Sequence, residues 1–372
     1  MNLYPATAFI RHLFTARCAT GHGVHSPYVF DFLNDVIRGK NNPGIITEVE
    51  KLRQEMLSDK RTVRVTDLGA GSSRGSGEER RISDIASAAA LPPKQVGLLA
   101  RIAKSSGRTR REATQSRAPG EPTRSEATQS RAPGEPTRSE ATQSRGSGRA
   151  QGSELTRSEQ KQSRESGRAQ AAGRSAYKAQ SDAVPQMREG AEQPSDNSII
   201  LELGTSLGIS TLALALAAPE SRVVTVEGCP ALAGIARNNL LKHGALNAEV
   251  INMEFSAALE MLSTGGTTVS LAFIDGNHRG GALTHYAETI RSLGEEMIIV
   301  ADDIHLNREM YRAWSSLATS GTGERPRRAK SPQAVRLPAV PADIATASME
   351  TFRFGILFCI RNLTPGQYRI RY

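Results

Sequence analysis

The chain is poor in the residues that staple small folds, bind structural zinc or span membranes. It has only three cysteines, Cys18, Cys229 and Cys359, in 372 residues. They are scattered, odd in number and never in a Cys-x-x-Cys pair. That excludes a disulfide framework and a cysteine zinc site, and it fits a reducing compartment. Aromatic residues make up 5% of the chain, with a single tryptophan. No long hydrophobic run occurs. The N-terminal stretch Ala8-Phe-Ile-Arg11-His-Leu-Phe-Thr-Ala-Arg17 is interrupted by charge every few residues, so it reads neither as a signal peptide nor as a membrane span. A cytoplasmic protein is expected.

Core-forming residues are also missing over a long internal stretch. Between 104 and 196, Leu155, Val184 and Tyr177 are the only Leu, Ile, Val or aromatic residues. Glu-Ala-Thr-Gln-Ser-Arg recurs there at 112, 126 and 140. A stacking solenoid unit needs an apolar face, and this unit has none. Too little apolar surface exists to offset the entropy of ordering, so 104–196 reads as a disordered low-complexity insertion. More than half of the chain's net charge of +9 lies in it. Both signs are interspersed there without aromatic residues, which favours a solvated tract over a nucleic-acid surface.

The remainder divides into a helical N-terminal region over 1–103, forming a lid and the first helices of the core, and a core over 197–372 with a flexible loop at about 320–342. Phe9, Leu13 and Phe14 have helical spacing, as do Val29, Phe30, Phe32, Leu33 and Ile37. Pro92-Pro93 opens a further helix running from Lys94 to Ala103. From 198 onward, strands at 198–203, 222–227, 248–252, 269–274 and 297–301 alternate with helices at about 208–217, 230–242, 255–263, 280–293 and 306–318. Such alternation builds a parallel sheet with right-handed crossovers. Phe352–Ile360 and Gln367–Arg371 lack an intervening helix and read as a terminal antiparallel hairpin.

The most informative pairing is Leu201-Glu202-Leu203-Gly204-Thr-Ser206-Leu-Gly208 followed by Val-Val-Thr-Val-Glu227. An apolar strand runs into a glycine turn and a helix, and a second strand ends in an acid. In an open α/β sheet a nucleoside lies across such strand ends, with the acid on the ribose hydroxyls. The turn lacks the third glycine of the dinucleotide fingerprint, and no Lys-Ser/Thr follows to make a P-loop. Glu202 just before the glycine suits a cationic, phosphate-free ligand. A turn that merely permits close packing is the alternative. Val65-Thr-Asp67-Leu-Gly69-Ala-Gly71 carries similar letters, but no apolar helix follows, so it reads as a loop beside the site mouth.

These segments resemble the first and second motifs of class I S-adenosylmethionine-dependent methyltransferases. The resemblance implies a doubly wound, mostly parallel seven-stranded sheet and a cofactor held by Glu202, Gly204, Ser206, Gly208, Glu227, Glu254 and Asp275. Glu254 reads equally as a solvated acid at a helix start. Two further strand ends, Phe273-Ile-Asp275-Gly-Asn-His278 and Val300-Ala-Asp302-Asp303-Ile-His305, resemble the metal-dependent catechol-type O-methyltransferases and their small-molecule relatives. The resemblance implies a divalent cation such as Mg²⁺ on Asp275, Asp302 and Asp303, with His278 as base where the catechol type has lysine. Asp303 as a helix cap, and Asp275 as a cofactor or loop contact without metal, are the alternatives. His305 reads as a surface residue at a helix start. The implied activity is O-methylation of a small hydroxylated molecule. RNA or protein methylation is the second reading, although the Asn/Asp-Pro-Pro-Tyr signature of base-methylating enzymes is absent; a non-catalytic cofactor-binding scaffold is the third.

Overall fold

Apolar runs that end in glycine or an acid are what lay out the sheet. In the computed structural model, which describes residues 4–16, 23–66, 79–115, 198–319 and 344–372, eight strands form one sheet. The strands are β3 (Ser198–Leu203), β4 (Arg222–Glu227), β5 (Ala248–Asn252), β6 (Thr268–Ile274), β7 (Met297–Ala301), β8 (Ala347–Glu350), β9 (Gly355–Cys359) and β10 (Gly366–Arg369). Their spatial order is β10-β8-β9-β7-β6-β3-β4-β5. A separate two-stranded ribbon pairs β1 (Thr62–Arg64) with β2 (Glu79–Arg81). The described residues belong to one compact unit, Met1–Ala118 with Asp196–Tyr372. Most of the 104–196 insertion, the Gly69/Gly71 loop and the 320–342 loop lie outside the described residues.

The doubly wound reading holds, with one strand more than expected. β3 lies between β4 and β6, so the chain reverses its direction of travel across the sheet at β3, and the crevice opens at that switch point. The expected terminal hairpin is corrected. β9 pairs antiparallel with β7 and with β8, while β10 returns to lie parallel to β8. β8 reads Ala-Ser-Met-Glu, too weakly apolar to be recognised as a strand, yet all four residues are buried.

One face of the sheet is covered by α3 (Pro43–Ser58), α5 (Pro93–Gln115), α6 (Ile209–Ala217) and α7 (Pro230–Lys242). On the other lie α8 (Phe255–Thr264), α9 (Gly280–Arg291) and α10 (Arg308–Thr319). Helix α6 is buried almost all round, as expected of a helix without a polar face. Asn42 and Ser26 cap α3 and α2 (Pro27–Phe32), each with proline next in line to start the helix. Helix α5 runs past the expected boundary at 103, and Ser105 and Ser106 are buried within it. Its hydroxyls turn back onto the carbonyls of Ile102 and Ala103 at 2.8 Å, so these small polar side chains bury without unpaired donors.

Helix α1 (Tyr4–Thr15) presents a face other than the one its apolar spacing indicated. Phe9 and Phe14 are exposed, whereas Ala8 and His12 are buried. Three contacts dock α1 beside β10: His12 Nε2 with the Ile370 carbonyl at 3.0 Å, Arg369 donating to Thr15 Oγ1 at 3.0 Å, and Arg371 donating to the Leu13 carbonyl.

The N-terminal helices share a single core with the sheet. Leu33, Leu52, Leu99 and Ile102 belong to the same buried cluster as Ile200, Leu271 and Phe358. Leu52→Ala is therefore expected to cost about 2–5 kcal/mol, with one unfolding transition in denaturant. A separate early transition would show that 1–103 folds apart from the sheet.

Candidate active site

The glycine turn is fixed by close approach. Gly204 has φ +110°, and a Cβ there would lie 2.4 Å from the Asp275 carbonyl oxygen. Both Gly204 and Thr205 donate their N–H to the Val226 carbonyl, at 3.0 and 3.3 Å, which ties the turn to the end of β4. Ser206, at φ +48°, donates its N–H to Glu227 Oε2 at 2.8 Å, and the Cys229 N–H donates to Oε1 at 2.9 Å. The Glu227 carboxylate is thus held between the turn and the start of α7. Gly208, at φ +82°, precedes the first turn of α6.

Glu202 does something other than reach a ligand. It is fully buried, and its Oε2 accepts from Thr211 at 2.5 Å and Thr225 at 2.6 Å. Burial raises its pKa above the usual carboxylate value although three hydroxyls nearby favour the charged form. It is a strut beneath the turn and does not line the cavity.

The cavity itself has a volume of about 320 Å³ at the strand ends. Gly204, Ser206, Glu227, Glu254, Asp275, His278 and Asp303 line it, while Gly208 and Asp302 stand behind its wall. Glu254 caps α8, accepting the Ala257 N–H at 3.0 Å, and also faces the cavity. Across from the turn, Ala86, Ala89 and Leu91, from α4 (Ile82–Ala89) and the loop after it, supply an apolar wall. Val65 and Thr66, the described flank of the second glycine sequence, also line the cavity, as a loop at the mouth should.

Two residues at the site were not anticipated from the sequence. Asn277, at φ +52°, donates from Nδ2 to the Tyr286 hydroxyl at 3.0 Å, while its buried Oδ1 has no hydrogen-bond partner. An orphaned acceptor in a cavity wall is the signature of a site shaped for a ligand's donor. Its place in the Asp-Gly-Asn-His turn was the only sequence-level hint. The second residue is Arg353. Its Nε donates to Asp302 Oδ1 at 2.7 Å and its Nη2 to Oδ2 at 2.6 Å, and Nη2 also lies 3.4 Å from Asp303 Oδ1.

This fork changes the reading of the three acids. The Asp302 side chain is fully buried, and both its oxygens are committed to the guanidinium. Among the described residues the oxygens of Asp275, Asp302 and Asp303 do not gather within 4.8 Å of one another. In this arrangement an arginine cation, not a metal, is paired with Asp302. Asp275 is pushed well above the usual carboxylate range by burial and by the charges of Asp302 and Asp303. Burial and Asp302 raise Asp303 in the same way. Burial opposes the charge on Arg353, but its bonds to Asp302 more than offset this and raise its pKa. Asp303 does not cap α10; Asn307 Oδ1 accepts the Met310 N–H at 2.8 Å instead. His278 Nε2 stands 3.8 Å from Asp275 Oδ1, too far for a hydrogen bond, with a quarter of its side chain open to the cavity side.

Residues 201–304, which hold the turn, Glu227 and all three acids, match the family described as a methyltransferase domain. That stretch of the chain is similar to a methyltransferase domain. A catechol O-methyltransferase from Mycobacterium tuberculosis (strain ATCC 25618 / H37Rv) is 36% identical over 107 residues, 28% of this chain and 47% of that protein. The chain thus matches about half of that relative's length. Among solved structures, the O-methyltransferase TomG of Streptomyces achromogenes, in complex with S-adenosylmethionine, is 23% identical at a TM-score of 0.32, covering 44% of this chain and 72% of that one. The Bacillus cereus O-methyltransferase is 22% identical at a TM-score of 0.31, with 43% and 72% covered.

The Arg353–Asp302 ion pair has a measurable consequence. Arg353→Met leaves the buried Asp302 carboxylate without a counter-charge and is expected to cost about 3–5 kcal/mol. Asp302→Asn in the same chain should recover most of that. Equal destabilisation by single and double variants would show that the guanidinium acts only by packing.

Proposed function

We propose that this chain is an S-adenosylmethionine-dependent methyltransferase acting on the hydroxyl of a small molecule. The observation that carries the reading is the Gly204–Gly208 turn facing a fixed strand-end carboxylate, Glu227, across a cavity that also holds Asn277 and His278. Glu227 has the chemistry to accept from two ribose hydroxyls, and Gly204, with no Cβ to strike the Asp275 carbonyl, lets the turn pack against the strand end that also lines the cavity. Phe255, set edge-on to Tyr286 with ring centroids 5.8 Å apart, offers a flat apolar surface beside Glu254 for a base. The unpartnered Asn277 Oδ1 suits an ammonium or hydroxyl donor.

Bound at these residues, the cofactor supplies an electrophilic methyl group on a sulfonium. The protein's part is to place an acceptor oxygen and relieve it of its proton. An unperturbed phenol ionises near pH 10, so about one part in a thousand is nucleophilic at neutral pH. His278 takes the hydroxyl proton, and an imidazole titrates in the range that suits this task. Asp275, with an oxygen 3.8 Å from the imidazole, stands beside it in the cavity wall. Arg353 lines the cavity and stabilises the developing oxyanion. It therefore takes the role that a divalent cation was expected to fill.

Three measurements test this. Glu227→Ala should weaken S-adenosylmethionine binding by about 1.5–3 kcal/mol in calorimetry; NAD binding, or an unchanged affinity, would overturn the cofactor assignment. His278→Ala should depress kcat far more than cofactor affinity and flatten the acid limb of the pH–rate profile. With tritiated cofactor, label should pass to small hydroxylated compounds and not to RNA, and added Mg²⁺ should leave the rate unchanged. A strict Mg²⁺ requirement would return the three acids to metal duty.

A further inference from the structure

Away from the cavity, three buried side chains from three elements converge: His12 of α1, His305 of the loop after β7, and Glu350 at the end of β8. The expected surface role of His305 is corrected here, since it is 6% exposed. Hydrogen bonding fixes both imidazole tautomers. His305 Nδ1 lies 2.8 Å from the Phe352 carbonyl, which can only accept, so Nδ1 carries the proton. Its Nε2 then turns a lone pair toward Glu350 Oε1 at 3.6 Å. By the same logic His12 Nε2 donates to the Ile370 carbonyl at 3.0 Å. His12 Nδ1 is left buried with no aligned partner, 3.4 Å from that same carboxylate oxygen.

Glu350 Oε1 also accepts from Arg369 Nε at 2.9 Å, which offsets the carboxylate charge but leaves the two imidazole nitrogens that face it without a donor of their own. We propose that His12, His305 and Glu350 form a binding site for a borderline divalent transition metal, Zn²⁺ foremost, which latches α1 to the edge of the sheet. The three donor atoms all lie within 4.8 Å of one another. Zinc bonds of about 2.0–2.1 Å in a tetrahedron give ligand-to-ligand edges of about 3.3 Å, close to the observed 3.4 and 3.6 Å.

The outer partners are those a metal site requires. Each imidazole is anchored by a backbone carbonyl. The Glu350 carboxylate accepts from Arg369 Nε at 2.9 Å and from Trp314 Nε1 at 3.1 Å. His305 is clasped between Tyr311 and Phe352, with ring centroids at 4.6 and 4.9 Å, so its orientation is preset. The competing occupant is a proton on one imidazole. Two nitrogen donors select zinc-like ions over Mg²⁺ or Ca²⁺. The site is independent of the cofactor cavity, and it stands or falls apart from the proposed activity.

The test uses the full chain without a histidine tag, stripped with chelator and titrated with Zn²⁺ or Co²⁺ alone. One equivalent is expected to bind and raise Tm, and Co²⁺ should show the intense visible bands of a tetrahedral nitrogen–oxygen site. His12→Gln, on a peripheral helix, should weaken Zn²⁺ binding roughly 100-fold or more, as should His305→Ala, whereas His278→Ala should not. The spectrum of hydrated Co²⁺ with the wild-type chain overturns the proposal without recourse to any variant. So does Zn²⁺ affinity unaltered by His12→Gln, or a cluster that stabilises the fold only through proton uptake at low pH.

Discussion

The buried fork between Arg353 and Asp302 is the interaction on which the rest of the site depends. It joins the end of a central parallel strand to the turn between β8 and β9, the antiparallel part of the sheet. Because one charge of the pair is wholly buried, neither partner can leave without stranding the other. The same guanidinium sets the electrostatics of the cavity floor. Burial, with the charge of Asp302 beside it, pushes Asp275 and Asp303 toward their neutral forms. A cluster that looked like three equivalent metal ligands is therefore one committed carboxylate and two whose protonation is poised by it.

How much of this the sequence disclosed follows from the range over which each signal acts. Four of the five parallel strands, and the helices between them, were legible because burial writes apolar runs that glycine or an acid ends; β5, Ala-Glu-Val-Ile-Asn, was legible from its place in the alternation. The turn at Gly204 and the acid at Glu227 were legible because strand, turn and second strand are local. Arg353 was not, since its partner lies 51 residues earlier. Nothing in Phe352-Arg353-Phe354 announces a charge bound for the interior. β8 was missed because Ala-Ser-Met-Glu carries little apolar signal of its own. Glu202 was assigned to a ligand because letters alone do not distinguish a carboxylate facing the cavity from one aimed at Thr211 and Thr225 beneath it.

Histidines show the same limit from the other side. His12 sits in a helix whose obvious apolar residues, Phe9 and Phe14, point outward, and its partners come from positions 305 and 350. His305 precedes a helix and looks like an ordinary helix-start residue. Only the fold brings them together, and only the carbonyls of Phe352 and Ile370 reveal which nitrogens are free. The chemistry of a site is thus most legible where one loop holds it and least so where the chain returns from far away.

The docking of α1 has a consequence for how copies of this chain meet. β10 is an edge strand of only four residues, paired on its described side with β8. An open strand edge is a template for adding another chain. Here α1 lies across it, and Arg371 and His12 use their side chains to join the two. At the opposite edge, Arg237 caps the Val250 carbonyl of β5 at 2.9 Å. The N-terminal helix is tied to the end of β10 by three side-chain bonds, so loosening it would free that end of the strand.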